Sequence, residues 1–158
     1  MPVESATPDR PGVIARPPLL YAGAFLLAVV LRLFRPFPIT AWAIALPAGL
    51  ALGVAAIALA RWGRRTMQAA GTNINPGLPA TTVVTAGPFR YSRNPLYVAL
   101  TLLYLGLTLA VNTWWGIVVL APLLVVMQVG VVLREERYLD RKFGDSYRAY
   151  RSKVRRYF

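Results

Sequence analysis

The stretch from Leu96 to Leu133 contains no charged residue, and this feature restricts the possible folds more than any other. A helix needs roughly 20 apolar residues to cross a bilayer, so the stretch is long enough for two crossings. Asn112-Thr113 lies near its middle and Trp114-Trp115 follows directly, as expected for a tight turn beside an interfacial belt of aromatic residues. The stretch therefore predicts a helical hairpin within a membrane rather than core helices of a soluble protein.

Two further uncharged stretches, Leu19 to Leu31 and Ile39 to Ala60, complete the pattern of an all-α polytopic membrane protein. The four predicted transmembrane helices cover about 18–34, 39–62, 95–111 and 114–134. In the second helix, Ala45, Gly49 and Gly53 recur every four residues, which predicts close packing against another helix.

The first residues are rich in proline and include Glu4 and Asp9, which is not typical of a signal peptide. We expect residues 1–17 to form a disordered tail and residues 18–158 to form a single membrane-embedded domain.

Basic residues flank the apolar stretches. The segment from Arg61 to Arg93 contains five arginines and no acid, and nine basic but only four acidic residues follow from Arg134 onward. Because positively charged loops resist translocation, both segments are predicted to face the cytoplasm, which with four crossings places both termini there. The expected location is thus the cell membrane, as a multi-pass protein. The net charge of +12 does not indicate a nucleic-acid partner, since the basic residues lie beside membrane segments.

The segment GPFRYSRNPLY, from Gly87 to Tyr97, directly precedes the hairpin. Asn94-Pro95 predicts a helix start at which the asparagine side chain accepts hydrogen bonds from the first free amides. The positive end of the helix dipole, reinforced by Arg90 and Arg93, then forms a suitable anion site. A capped helix with an arginine that contacts lipid phosphates is the simpler interpretation. It explains Asn94, Pro95 and one arginine, but not the whole of the segment from Gly87 to Tyr97.

The segment REERYLDRKFGDSYRAYRSKVRRYF begins where the hairpin ends, so Glu135 and Glu136 are expected to share an interface with Arg90 to Tyr97. Adjacent acids at a membrane boundary indicate a functional site, although surface ion pairs with neighbouring arginines are the simpler interpretation. The sequence leaves open which of the two acids faces the site. The residues that follow form a basic amphipathic tail, which either lies on the membrane or caps a pocket.

At this point the sequence resembles the superfamily of isoprenylcysteine carboxyl methyltransferases and phospholipid methyltransferases. The resemblance rests on TAGPFRYSRNPLY, an apolar hairpin and EERYLDRKFGDSYRAYRSKV, in that order between Gly71 and Val154. Within the superfamily, the sequence is similar to the small bacterial members. It implies an integral membrane enzyme that uses S-adenosylmethionine, bound within residues 71–158.

The resemblance also implies roles for individual residues. The implied cofactor-binding residues are Tyr91, Arg93, Asn94, Pro95, Tyr97, Glu135 and Glu136. The implied catalytic residues are Arg90, Tyr97 and Lys153. The eukaryotic carboxyl methyltransferases have His-Pro where this chain has Asn94-Pro95, and an arginine near Lys153, so the resemblance does not fix the substrate.

The residue composition agrees with methyl transfer. The chain has neither histidine nor cysteine, so no cysteine nucleophile, no Ser–His pair and no histidine-based metal site is expected. Methyl transfer needs none of these, because the sulfonium cofactor carries an activated methyl group and the protein supplies alignment and a dry site.

We expect a lipophilic acceptor that enters from the surrounding membrane lipids. A carboxylate is favoured because Arg90, Arg93 and the basic tail attract an anion, and because an ammonium must first lose a proton before it reacts. Phospholipid N-methylation is the main alternative, while a non-catalytic membrane scaffold and a nicotinamide-dependent reductase are less favoured. No obligate protein partner is indicated.

Overall fold

The computed structural model describes residues 9–75 and 77–157, and these residues form helices without a strand. The helices are α1 (Pro17–Phe34), α2 (Trp42–Ala69), α3 (Pro95–Ala110), α4 (Trp114–Met127), α5 (Leu133–Phe143) and α6 (Asp145–Lys153). A π-helical turn, Gln128–Val132, joins α4 to α5, and a short 3-10 helix, Gly87–Arg90, precedes α3. The predicted all-α fold is confirmed.

The predicted membrane segments are also present as helices. Three of them are long and apolar enough to cross a membrane, namely α1, α2 and the continuous helix from Trp114 to Phe143, while α3 is a shorter apolar helix. The prediction for α2 is wrong at both ends, because the helix begins at Trp42 rather than residue 39 and continues to Ala69 rather than residue 62. The amides of Ile39 and Thr40, which precede this start, donate to the Asn112 side chain.

The turn between α3 and α4 lies at the predicted Asn112. This residue has a φ of 50°, a left-handed conformation that asparagine tolerates better than most residues. Its side-chain oxygen accepts from the amides of Ile39 and Thr40 at 2.9 and 3.1 Å, and its side-chain nitrogen donates to the Thr40 carbonyl at 2.6 Å. One buried side chain thereby joins the hairpin turn to the connection between α1 and α2.

The predicted small-residue ridge of α2 packs against α3. A Cβ atom on Gly49 would lie 2.6 Å from the Gly106 carbonyl oxygen, so the two backbones approach more closely than any larger residue permits. The helix α1 packs mainly on α4, and Tyr21 of α1 and Tyr104 of α3 belong to the hydrophobic core that these helices share. The packing of α2 on α3 and of α1 on α4 places the start of α3 next to the start of α5.

Residues 9–16 lie against the π-helical turn and α5. The Ile14 amide donates to the Gly130 carbonyl at 3.2 Å, Arg134 donates to the Gly12 carbonyl at 2.9 Å, and Lys142 pairs with Asp9 at 2.7 Å. These contacts form because the segment meets a backbone carbonyl and two basic side chains, and the disorder expected for residues 1–17 stays a prediction. Residues 1–8 of that prediction lie outside the described residues.

Candidate active site

A cavity of about 750 Å³ lies where the start of α3, α5, α6 and the segment that connects α2 to α3 meet, with parts of α1 and α2 completing its walls. This volume is typical of sites for small molecules. The charged residues on its lining are Arg16, Arg64, Arg93, Glu135 and Glu136, and most of the other lining residues are apolar or aromatic. The cavity thus has a charged wall, formed by the residues just before α3 and by α5, and a largely apolar wall, formed by α1 and α2.

Most of the site residues predicted from the sequence meet at this cavity. Its lining includes Arg93, Asn94, Pro95, Tyr97, Glu135 and Glu136. The two sequence segments at the ends of the hairpin therefore share one interface, as predicted. Both segments are brought together by the antiparallel course of α3 and α4.

Three predicted site residues do not line the cavity. Arg90, Tyr91 and Lys153 are exposed, and Tyr91 has 68% of its surface accessible. The 3-10 helix before α3 directs Phe89 into the protein instead, where the Tyr150 hydroxyl donates to its carbonyl at 2.7 Å. The structure therefore gives no geometric support to the roles that the resemblance implies for these three residues.

Glu136 is held by two arginines. Its Oε1 atom forms an ion pair with Arg93 Nη1 at 3.0 Å and accepts a hydrogen bond from Arg156 Nε at 2.9 Å, and its Oε2 atom accepts from Arg156 Nη2 at 2.8 Å. The side chains of Arg93 and Glu136 are each only 8% exposed, so these charge-assisted bonds form away from bulk water. The Glu136 carboxylate is consequently well satisfied by the protein itself.

Glu135 has a different environment. It lies on the cavity lining beside the Tyr97 side chain. Among the described residues, its carboxylate forms no ion pair, in contrast to that of Glu136. Of the two adjacent acids, Glu135 is therefore the one with capacity left for a ligand.

The start of α3 differs from the predicted cap. Pro95 occupies the first helical turn as predicted, but the Asn94 side chain makes no capping hydrogen bond. Its side-chain nitrogen donates instead to the Arg156 carbonyl at 3.1 Å. The prediction of an asparagine cap is wrong because a segment distant in sequence supplies a better partner for this side chain.

The amphipathic tail packs over the cavity. On α6, Tyr147 and Tyr150 are buried and line the cavity, and Arg93 Nη1 donates to the Tyr147 hydroxyl at 3.4 Å. Burial raises the pKa of the Tyr147 hydroxyl, so this group remains neutral near physiological pH. Of the two arrangements that the sequence left open, the structure has the tail capping a pocket.

Sequence reasoning missed Arg156 and Tyr138. The hydroxyl of Tyr138 donates to Asp9 at 2.8 Å and accepts from the Ala80 amide at 3.1 Å, so it joins the cavity-lining segment after α2 to α5. Neither residue has a distinguishing sequence signal, because each is one of many arginines or tyrosines in a basic, aromatic tail.

A family model for phospholipid methyltransferases matches residues 44–146, which is more than half of the chain. The chain belongs to this family. It is accordingly a membrane methyltransferase that acts on lipid-like substrates. An uncharacterised protein of Haemophilus influenzae is 42% identical over 65 residues, which make up 39% of this chain and 98% of that protein. No solved structure matches the chain.

Proposed function

We propose that this family member is an S-adenosylmethionine-dependent methyltransferase whose cofactor binds at the charged wall of the cavity and whose methyl acceptor is a carboxylate on a lipophilic molecule. The observation that carries the proposal is the presence of Arg93, Asn94 and Glu135 together on the lining of one cavity. These residues offer partners for both the carboxylate and the cationic or hydroxyl groups of the cofactor.

The charged wall fits the cofactor in one specific respect. Among the described residues, the Arg93 Nε atom is buried and has no hydrogen-bond partner. Buried donors of this kind are nearly always satisfied, so a ligand with an acceptor group is expected next to it. The cofactor carboxylate supplies such an acceptor, while Glu135 suits the cofactor's ammonium group or ribose hydroxyls.

When bound, S-adenosylmethionine supplies an activated methyl group on a positively charged sulfur. The contribution of the chain is to hold cofactor and acceptor in line and to exclude water from the site. The start of α3 and Glu135 hold the cofactor, and Tyr147 and Tyr150 of α6 cover this wall. No side chain needs to act as a nucleophile.

The apolar wall suits a lipophilic acceptor. It includes Pro17, Leu19 and Met67. Two arginines also line the cavity here, Arg64 on α2 and Arg16 just before α1. Apolar surface next to basic residues favours an amphiphile with an anionic group. Arg90, which favoured a carboxylate in the sequence analysis, lies outside the cavity, so Arg16 and Arg64 now provide this support.

A second candidate function is N-methylation of an amine phospholipid. It is favoured by Glu135, an acid without an ion pair among the described residues, which attracts an ammonium and lies beside Tyr97. An ammonium must lose a proton before it accepts a methyl group, whereas a carboxylate is already ionised at neutral pH. The two candidates therefore differ in how turnover depends on pH.

The test has two stages, both on the protein purified in detergent. Calorimetry first measures the binding of S-adenosylmethionine, and an absence of binding contradicts the proposal as a whole. Turnover is then followed from about pH 6 to about pH 9 with prenylated cysteine analogues and with phosphatidylethanolamine. Methylation of the prenylated cysteine analogues supports the carboxylate acceptor, whereas methylation of the amine lipid alone, at a rate that rises with pH, selects the second candidate.

A further inference from the structure

The residues that follow α6 form a strap, which we define as Val154–Tyr157. The strap runs along the residues that precede α3. The Arg93 amide donates to the Arg155 carbonyl at 3.0 Å, while the Ser92 hydroxyl and the Asn94 side chain donate to the Arg156 carbonyl at 3.2 and 3.1 Å. Each of the three residues immediately before Pro95 is thus bound to the strap.

The Arg156 side chain adds an electrostatic connection. It donates to both oxygens of Glu136, and this hydrogen bonding raises the pKa of its guanidinium, so the side chain stays charged. Arg93, Glu136 and Arg156 together carry two positive charges and one negative charge, which leaves a net charge of +1. Without Arg156 the remaining Arg93–Glu136 pair is neutral and attracts an anion less strongly.

We infer that Arg156 is a positioning residue for the cofactor site, whose side chain acts through Glu136 on Arg93. Arg156 does not line the cavity, so its effect passes through residues that do. It also lies beyond the family match, which ends at residue 146. The inference rests on the proposed binding of S-adenosylmethionine, and it concerns the end of the cofactor that carries the carboxylate.

The test compares Arg156→Ala and Arg156→Lys with the wild-type chain. Calorimetry measures the Kd of S-adenosylmethionine and of its decarboxylated analogue, which lacks the carboxylate assigned to Arg93. In Arg156→Ala we expect the Kd of S-adenosylmethionine to rise roughly tenfold, the lower end of the range for a direct charge-assisted hydrogen bond because Arg156 acts through Glu136 and Arg93, with the analogue changed by no more than about twofold. Arg156→Lys keeps the charge but loses the two-pronged geometry, so an intermediate rise is expected.

The matched control is Arg151→Ala. Arg151 is an exposed arginine on α6 that lies outside the cavity and, among the described residues, forms no ion pair. It should leave both Kd values unchanged. Melting temperatures of all variants show whether a loss of binding follows a loss of folded protein.

The outcomes separate the two proposals. Equal weakening of both ligands in Arg156→Ala, or an unchanged Kd with only a lower melting temperature, overturns the positioning role. If Arg156→Ala does not fold, Arg156→Lys decides in the same way. If the wild-type chain binds neither ligand, the proposed cofactor is overturned, and this inference falls together with it. If the wild-type chain binds S-adenosylmethionine and both variants bind it with the same Kd, the inference alone is overturned.

Discussion

The two ends of the α3–α4 hairpin use buried polar side chains in different ways. At the turn, the Asn112 side chain makes its hydrogen bonds to backbone groups of Ile39 and Thr40. At the other end, the Glu136 carboxylate forms ion pairs with both Arg93 and Arg156, and the Arg93 Nε atom has no partner among the described residues. The cavity lies beside this second end.

This difference distinguishes a structural element from a candidate site within one hairpin. A polar side chain that makes three hydrogen bonds to fixed backbone groups, as Asn112 does, stabilises a turn and has at most one donor left for a ligand. Buried charges are costly to desolvate, and a turn does not require them. We therefore expect changes at the turn to affect stability, and changes at the charged end to affect binding.

The largest expected effect concerns which side of the membrane each end occupies. The chain has no cysteine, so single cysteines are clean probes. At exposed positions of the charged end, Thr85→Cys and Ser152→Cys should be fully protected from membrane-impermeant thiol reagents in intact cells, because positive segments remain in the cytoplasm. Ala41→Cys, exposed near the turn, should be labelled.

Labelling of position 85 from outside, with position 41 protected, reverses the predicted orientation. Reagent added to lysed cells is the control, since all three cysteines should then react. Asn112 itself is unsuitable as a probe, because it is almost fully buried and its substitution disrupts the turn.

The next largest effect is expected for Arg93→Ala. This change removes the buried guanidinium on the cavity lining, and we expect the affinity for S-adenosylmethionine to fall on the order of a hundredfold, as for a lost hydrogen bond to a charged group. Calorimetry on the monodisperse protein measures it. Arg65→Ala is the matched control, because Arg65 is exposed and outside the cavity. Unchanged binding in Arg93→Ala would place the cofactor elsewhere.

A smaller effect, on stability alone, is expected at the turn. Asn112→Gly keeps a residue that tolerates the φ of 50° but loses the side-chain hydrogen bonds, so the free energy of unfolding should fall by about 1–2 kcal/mol. Asn112→Ala should cost about 1 kcal/mol more, because alanine is strained in that conformation. Thermal unfolding measures both variants.

The cofactor Kd of both Asn112 variants should equal that of the wild-type chain. If Asn112→Gly changes the Kd tenfold while its melting temperature is unchanged, the two ends are not distinct in the way described above.

The smallest effects are expected for Lys153→Ala and Arg90→Ala. The resemblance implies catalytic roles for both residues, yet both are exposed and neither lines the cavity. Turnover should stay within about twofold of the wild-type value, the range expected for surface substitutions away from a site. A much larger fall in turnover with unchanged melting temperature would show that one of them reaches the acceptor after all.

Much of this architecture follows from the sequence. An uncharged stretch of this length, with Asn112-Thr113 near its middle, has few alternatives to a membrane hairpin. Once the hairpin is accepted, the segments that enter and leave it must lie side by side at the end opposite the turn. Arg93 and Glu136 belong to these two segments and are therefore close together. The meeting of the two segments was therefore predictable, and the family match agrees with the resemblance.

The missed features depend on tertiary contacts. Arg156 is chemically the same as Arg151 and Arg155 nearby, and only the reversal at Gly144, which has a φ of 51°, brings it back to Glu136. Asn94 fits the pattern of a helix cap, but a carbonyl from the strap competes for its side chain. Local patterns do not contain this information.

The π-helical turn Gln128–Val132 has a consequence for insertions and deletions. A π-helical turn holds one residue more than the α-helical turn it replaces, so the helical segments before and after it keep the facing of an uninterrupted α-helix. Removing one residue here and closing the turn to α-helical geometry would therefore leave Glu135 and Glu136 near their present side of the helix. A one-residue deletion at Gly130 should affect the hydrogen bond from the Ile14 amide more than the site, whereas a second deletion, with no extra residue left to remove, should turn Glu135 and Glu136 away from α3 by about 100°.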